Sequence, residues 1–310
     1  MKQGDKGVLM VIGLGAALVL SVAMSGCGRG GDQVARQTPK LTGKTVIAIS
    51  GSDTMVNLAQ MWAEEYKKKT PSVSIEVSGG GSGVGIRDLM QGVVQVANSS
   101  REMEPAERDQ ITKTAGKAPV ETVVGHDGIA IYVHKDNPAT DITMDQLARI
   151  FREGGDITRW SQLGVTMPAG QDEIVRVSRQ NSSGTYLYFR EHVLKKQDFK
   201  SGSNDMSGSK DVVELVTRTK SAIGYSGMGY ATKDVKVLRI KPSANEAGIE
   251  PSVANVHSKS YPLARSLLMF TVGTPEGVTR TYIDWILSPE GQAVVTKEGY
   301  VPVSAEDKKK

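Results

Sequence analysis

The sequence predicts an α/β domain, a mainly parallel sheet covered by helices. Three observations carry this: short apolar or alternating runs of strand length, stretches with apolar residues at helical spacing, and Ser/Thr/Gly-rich breaks between one and the next. Val46-Ile47-Ala48-Ile49 is a β-favouring run, ended by Gly51-Ser52-Asp53-Thr54. Met55, Leu58, Ala59, Trp62 and Tyr66 follow at helical spacing, and Pro71 stops that helix. Val73, Ile75 and Val77 alternate as a strand, Gly79-Gly80-Gly81-Ser82-Gly83 turns, and Ile86, Leu89, Met90 and Val93 form the next helical face. The pattern continues through a strand region at Val123-Val124 and Ile129 to Val133, a helix at Thr143 to Phe151, and a strand at Ile174 to Val177. A helix begins near Tyr186, another covers Val212 to Thr219, and Ala222 to Tyr225 is a short strand. Leu267 to Val272 reads as a buried strand, Val278 to Leu287 as a helix, and Pro289 opens a final short helix.

The chain has 310 residues, 39% hydrophobic and 23% charged, which suits one large or two medium globular domains. A formal charge of +4 on this length does not call for a nucleic-acid partner. Cys27 is the single cysteine, so no internal disulfide is possible.

The three Ser/Thr/Gly loops share one design. Gly51 to Met55, Gly81-Ser82-Gly83 and Ser182-Ser183-Gly184-Thr185 each lie between a strand and a helix. A helix start leaves N–H groups unpaired and carries partial positive charge, so with added hydroxyls it suits an anion. Taken singly, each loop reads first as an ordinary capped helix start. Arg179, just upstream of the third loop, tips the balance, because a guanidinium forks onto two oxygens of an oxyanion.

Catalytic patterns are weak. His126, His134, His192 and His257 have no metal-ligand spacing. Gly224-Tyr225-Ser226-Gly227-Met228 fails the nucleophile elbow at Met228. Gly43-Lys44-Thr45 echoes the end of a P-loop, but Thr38 replaces the leading Gly. We therefore expect no enzyme, no catalytic residue, no metal and no cofactor.

At the N-terminus, Lys2 and Lys6 precede the apolar stretch Val8 to Ala23, which suits a secretory signal. Met24-Ser25-Gly26-Cys27 resembles the lipobox of bacterial lipoproteins, with Met24 where leucine is common. Residues 1–26 are then a signal peptide, and 27–44 a lipidated Cys27 with a polar tether rich in Gly28, Gly30, Gly31 and Pro39. Losing Lys2, Lys6 and Asp5 would lower the formal charge from +4 to +3.

From about Thr45 to Val303 the chain resembles the phosphate-binding receptors of ABC transporters. Besides the loops, the resemblance rests on Asp127-Gly128-Ile129-Ala130, Asn137-Pro138, Trp160, Ala222-Ile223-Gly224-Tyr225, Gly229-Tyr230-Ala231, Leu287 to Gln292 and Gly299-Tyr300-Val301-Pro302. It implies a two-lobed periplasmic-binding-protein type II fold with a hinge and an interlobe ligand cleft. Residues 45–126 with 229–303 would form lobe 1, 127–228 lobe 2, and 304–310 a polar tail. It also implies an extracytoplasmic receptor whose partners are inorganic phosphate and the transmembrane permease subunits of an ABC importer; with the lipobox at Cys27, a lipid-anchored monomer is expected.

The family's ligand residues map onto Thr54, the Met55 N–H, Ser82, Arg179, Ser183, Gly184 and Thr185. Ser100 stands where many members carry a carboxylate, which accepts the proton of hydrogen phosphate and repels sulfate. That substitution leaves sulfate, molybdate or tungstate open as alternative ligands, and a sensing role beside transport. Asp127 or Asp53 could supply the missing acceptor. Asn181 replaces an acidic neighbour of the arginine. Arg101 reads either as a second cation near the anion or as a salt-bridge partner of Glu102 or Glu104.

Overall fold

The computed structural model describes residues 45–305 and 307. The expected signal peptide, Cys27 and the tether lie outside these residues. Among the described residues, ten strands and nine α-helices follow one another along the chain. The first part runs β1 (Thr45–Gly51), α1 (Val56–Lys69), β2 (Val73–Gly80), α2 (Ser82–Met90), β3 (Val96–Ser99), α3 (Pro105–Ala115) and β4 (Pro119–His134). Then come β5 (Asp141–Thr143), α4 (Met144–Phe151), β6 (Val175–Arg179), α5 (Gly184–His192), β7 (Asn204–Met206), α6 (Ser209–Arg218) and β8 (Ala222–Gly227). The chain closes with β9 (Val235–Lys241), α7 (Val253–His257), β10 (Ala264–Val272), α8 (Gly277–Ile286) and α9 (Pro289–Lys297).

Local chemistry sets several of these boundaries. Thr143 caps α4 and forms a reciprocal capping box with Gln146. Pro105 starts α3 where a missing N–H costs nothing, and Gly116 ends it in the left-handed conformation. Ser288 caps α9, again with Pro in its first turn.

The strands join in the order β2-β1-β3-β10-β4-β8-β6-β7, with β9 on β4 and β5 on β9. The sheet is mixed rather than mainly parallel. β1, β2 and β3 run parallel to one another, as do β6, β7 and β8, while β4 and β10 bring in the antiparallel pairs. β4 changes partners midway. Pro119 to Gly128 pairs with β10, and Ile129 to Val133 pairs with β8. The strand region read at Val123-Val124 and Ile129 to Val133 is thus one continuous strand, shared by two halves.

Each half is a sheet with helices on both faces. In the first, Trp62, Tyr66, Tyr282 and Trp285 pack on Ile47, Ile49 and Val96. Ile86, Leu89 and Ile111 cover the opposite face at Ala97, Leu268 and Phe270. In the second, Leu147, Ile150, Phe151 and Phe189 pack on Ile129, Ile131 and Tyr225, and Val212 and Val216 lie against Ala130, Tyr132 and Val177. Adjacent residues of one strand serve opposite cores, as a period of two requires.

The pairing also departs from the division at residue 229. β9 pairs with Ile131 to His134, and its Leu238 and Ile240 lie in the second half's core, as do Tyr261 and Leu263. By strand pairing the chain returns to the first half at β10, not after Met228. At the C-terminal end, Ser304 and Asp307 are tied in by hydrogen bonds to each other, and Asp307 pairs with His126 at 2.8 Å. Burial works to raise the Asp307 carboxyl, but the bonds from His126 and Ser304 hold it down at about 2.

Trp62 is fully buried and its indole N–H donates to the Gly291 carbonyl at 2.8 Å, fastening α1 to α9. Trp62→Ala is expected to cost about 3–5 kcal/mol of unfolding free energy. Urea denaturation checks this, and an unchanged midpoint would contradict the packing.

Candidate functional site

Parallel strands within a half deliver their following loops to the same sheet edge. β1 leads through Ser52 and a 3₁₀ turn at Asp53–Met55 into α1, and β2 leads through Gly81 into α2. From the second half, β6 leads through Gln180 to Ser183 into α5. All three loops meet between the halves.

Glycine makes the approach possible. Gly81 has φ +97°, and a Cβ there would collide with the Ser182 carbonyl. A Cβ on Gly184 would strike the Ser82 hydroxyl and lie 2.8 Å from the Ser100 hydroxyl. The Gly83 N–H donates to the Ser182 carbonyl at 3.1 Å, closing one side.

A cluster of buried hydroxyls fills the junction. Thr54 and Thr185 bond each other at 2.8 Å across the halves. The Ser52 hydroxyl donates to Ser100 at 2.9 Å, Ser82 lies 3.5 Å from the same oxygen, and the Ser100 N–H donates to Ser82 at 3.1 Å. Ser183 caps α5 by accepting from the Thr185 and Tyr186 N–H groups. Hydroxyls can reverse donor and acceptor roles, so this set can turn its hydrogens toward an anion.

Two guanidiniums flank the cluster, each held by a carboxylate. Arg179 is fully buried and donates to Asp53 at 3.1 Å, to the Ser207 carbonyl and to the Ser209 hydroxyl, while its Nε has no hydrogen-bond partner among the described residues. Asp53 also accepts from the Gly80 N–H at 2.8 Å. Burial pushes its carboxyl up, against the pull of Gly80 and Arg179. Burial likewise lowers the Arg179 pKa, and Asp53 opposes that shift. The second guanidinium, Arg265, donates to Asp127 through Nε at 2.9 Å and Nη2 at 2.7 Å. Its Nη2 also reaches Thr185 at 3.0 Å and Thr54 at 3.3 Å, and its Nη1 the Ser100 carbonyl at 3.1 Å. Burial pushes the Asp127 carboxyl up, and Arg265 pulls it back.

Tyrosines brace the first loop. Tyr230 donates to the Asp53 carbonyl at 2.8 Å and Tyr300 to the Thr54 carbonyl at 2.6 Å. Burial pushes the Tyr230 hydroxyl up to about 12, so it remains a donor at neutral pH.

The structure thus brings together Thr54, Ser82, Ser100, Arg179, Ser183, Gly184 and Thr185, with Asp53 and Asp127 beside them. Three sequence candidates behave otherwise. The Met55 N–H donates to the Ser52 carbonyl at 2.9 Å and its side chain lies in the core. Asn181 is exposed. Arg101 forms a two-pronged bond with Glu107 at 2.7 and 2.6 Å, not with Glu102 or Glu104 side chains, although it does donate to the Glu102 carbonyl. Arg265 went unnoticed in the sequence. Its signal was a charge between Leu263-Ala264 and Ser266-Leu267, at the start of a strand read as beginning only at Leu267.

A two-halved α/β domain whose facing loops converge as buried donors is the architecture of a solute-binding protein. Residues 37–290 match the PBP superfamily domain. The chain is 36% identical over 265 residues to the phosphate-binding protein PstS of Pseudomonas aeruginosa, covering 82% of each chain. It is 32% identical over 307 residues to the PstS of Bacillus subtilis, covering 97% of this chain and 95% of that one. A crystal structure from Clostridium perfringens, described as a phosphate ABC transporter substrate-binding protein with bound phosphate, is 33% identical. It superposes with a TM-score of 0.74 over 84% of this chain and 100% of that one. This chain belongs to the PBP superfamily, in the family of the PstS phosphate-binding proteins.

Gly184 lacks a left-handed backbone, so an alanine there is unstrained locally, and its nearest collisions are with Ser82 and Ser100 across the halves. Gly184→Ala should leave a folded protein whose halves stay apart. Small-angle scattering is expected to give a larger radius of gyration than wild type, and an identical value would contradict the close approach.

Proposed function

We propose that this protein binds inorganic phosphate on the extracytoplasmic side of a membrane and delivers it to the transmembrane subunits of an ABC importer. The observation that carries the reading is the convergence of Thr54, Ser82, Ser100, Thr185, Ser183 and Arg179 on one buried junction between the halves. The PstS relatives, and the phosphate bound in the Clostridium perfringens structure, support it. It is a receptor reading, with no bond made or broken.

The mechanism follows from the division of donors. Thr54, Ser82 and Ser100 come from the first half, and Arg179, Ser183, Gly184 and Thr185 from the second. An anion held by both sets favours the closed arrangement, since contacts from both sides exist only there. The hydroxyl–hydroxyl bond between Thr54 and Thr185 would be exchanged for charge-assisted bonds, which are the stronger kind. The halves act as lobes that move about the shared strand β4. Permease subunits then recognise the closed form. The molecule acts as a monomer, anchored through a lipid on Cys27.

Among the described residues no helix is long and apolar enough to cross a membrane. Attachment in this reading therefore depends on the N-terminal segment. Cys27→Ala is expected to abolish incorporation of labelled acyl chains while phosphate affinity stays unchanged. Continued labelling would sink the anchor assignment.

Arg179→Ala removes a charge-assisted partner from a desolvated site, a loss of roughly 2–5 kcal/mol in binding. Calorimetric titration of the phosphate-stripped protein tests this, with sulfate as the competitor. Wild-type affinity in the variant would refute the site, and sulfate binding as tight as phosphate would refute the ligand choice while sparing the fold.

A further inference from the structure

We propose that Arg265 is a second guanidinium that contacts the bound oxyanion, with Asp127 as its positioning residue. This rests on the phosphate reading of the site and adds a residue to it.

Arg265 and Asp127 are direct cross-strand partners on β10 and β4. They sit where β4 leaves the first half, next to the pair Ala264 and Gly128 that ends the β10 ladder. An ion pair here is anchored on both sides by backbone. The Asp127 side chain is fully buried, and that of Arg265 is 1% exposed.

A count of donors and acceptors then separates the roles. A carboxylate offers about four lone-pair sites. Asp127 receives Nε and Nη2 of Arg265 on one oxygen and the Met228 N–H on the other, and the Gly128 N–H also bonds this carboxyl. Its capacity is used, so Asp127 holds the arginine and takes no proton from a ligand. Arg265 is different. Beyond its bonds to Asp127 and the Ser100 carbonyl, its remaining Nη2 hydrogen points at the hydroxyls of Thr185 and Thr54. Those hydroxyls come from opposite halves and are the donors expected to grip the anion. An oxyanion that accepts from both lies within reach of Nη2 as well.

Stability alone gives little reason for this arrangement. Replacing a buried ion pair by packed apolar groups is often neutral or stabilising. The arrangement also repeats the pairing of Arg179 with Asp53, a buried guanidinium held by a carboxylate. Tyr188 of α5 stacks its ring 5.7 Å from the Arg265 Cζ, adding a contact from the second half.

The test compares wild type, the neutral double variant Arg265→Gln with Asp127→Asn, and the single variants Arg265→Lys and Asp127→Asn. Phosphate affinity is measured by calorimetry, and melting temperature with and without phosphate. The double variant removes both charges together and leaves no unpaired buried ion, so its melting temperature without phosphate should stay close to wild type. Its phosphate affinity should fall by roughly thirtyfold or more, and the phosphate-induced rise in melting temperature should shrink accordingly. Asp127→Asn, which keeps the guanidinium but loosens it, should show the same split to a smaller degree. A double variant that binds phosphate as tightly as wild type overturns the proposal. If that variant does not fold, Arg265→Lys decides: a loss of about tenfold or more supports the contact, since an ammonium cannot reproduce the fork. Wild-type affinity in Arg265→Lys overturns it. A wild-type protein that takes up no phosphate removes the functional reading itself, a failure distinct from loss of the arginine's role.

Discussion

One strand belongs to two sheets, and the rest of the molecule is arranged around that fact. β4 hydrogen-bonds to β10 up to Gly128 and to β8 from Ile129 onward. A residue at this crossing is fixed by ladders on both sides, whereas the loops from β1, β2 and β6 approach it from opposite directions. Loops arriving so close must be built from small and hydroxylated side chains. Gly81 and Gly184 let the backbones meet, and Ser52, Thr54, Ser82, Ser100 and Thr185 fill the space with groups that can either donate or accept. The cleft chemistry is thus a consequence of where β4 changes partners.

The site carries no formal excess of charge among its four main ions. Arg179 is matched by Asp53 and Arg265 by Asp127. An anion bound here is stabilised by the number and direction of donors rather than by net positive charge, which suits a ligand that must also be released. The neutral Ser100 fits this arrangement. Its hydroxyl is shared with Ser52 and Ser82, and its carbonyl accepts from Arg265, so its position is set by the same network that sets the guanidinium. In the proposed site, discrimination between oxyanions would depend on hydroxyl orientation across the whole cluster, since Ser100 supplies no repelling carboxylate.

The parts of this design that were legible in the sequence are those encoded by local pattern. Helical spacing from Met55 to Tyr66, alternation from Val73 to Val77 and the three Ser/Thr/Gly loops depend on neighbours in the chain, and the structure realises them. The parts that were not legible depend on partners far away in sequence. β9 has an ordinary alternating strand pattern, and only its pairing with β4 assigns it to the second half. Arg265 is unremarkable until β10 is seen to begin at Ala264 and to set it against Asp127. Arg101 chose Glu107, one turn into α3, over the nearer Glu102 and Glu104 side chains because the capping of that helix turns the Glu107 carboxylate back toward the chain. The Met55 N–H was consumed by a 3₁₀ turn that sequence spacing cannot distinguish from a regular helix start.

The most direct measurement is a crystal structure of the protein grown with phosphate. One phosphate is expected at the junction of the halves, within hydrogen-bond distance of Thr54, Ser82, Arg179, Thr185 and the Nη2 of Arg265. Phosphate bound elsewhere, or a junction still closed by the direct Thr54 to Thr185 bond at saturating phosphate, would contradict it.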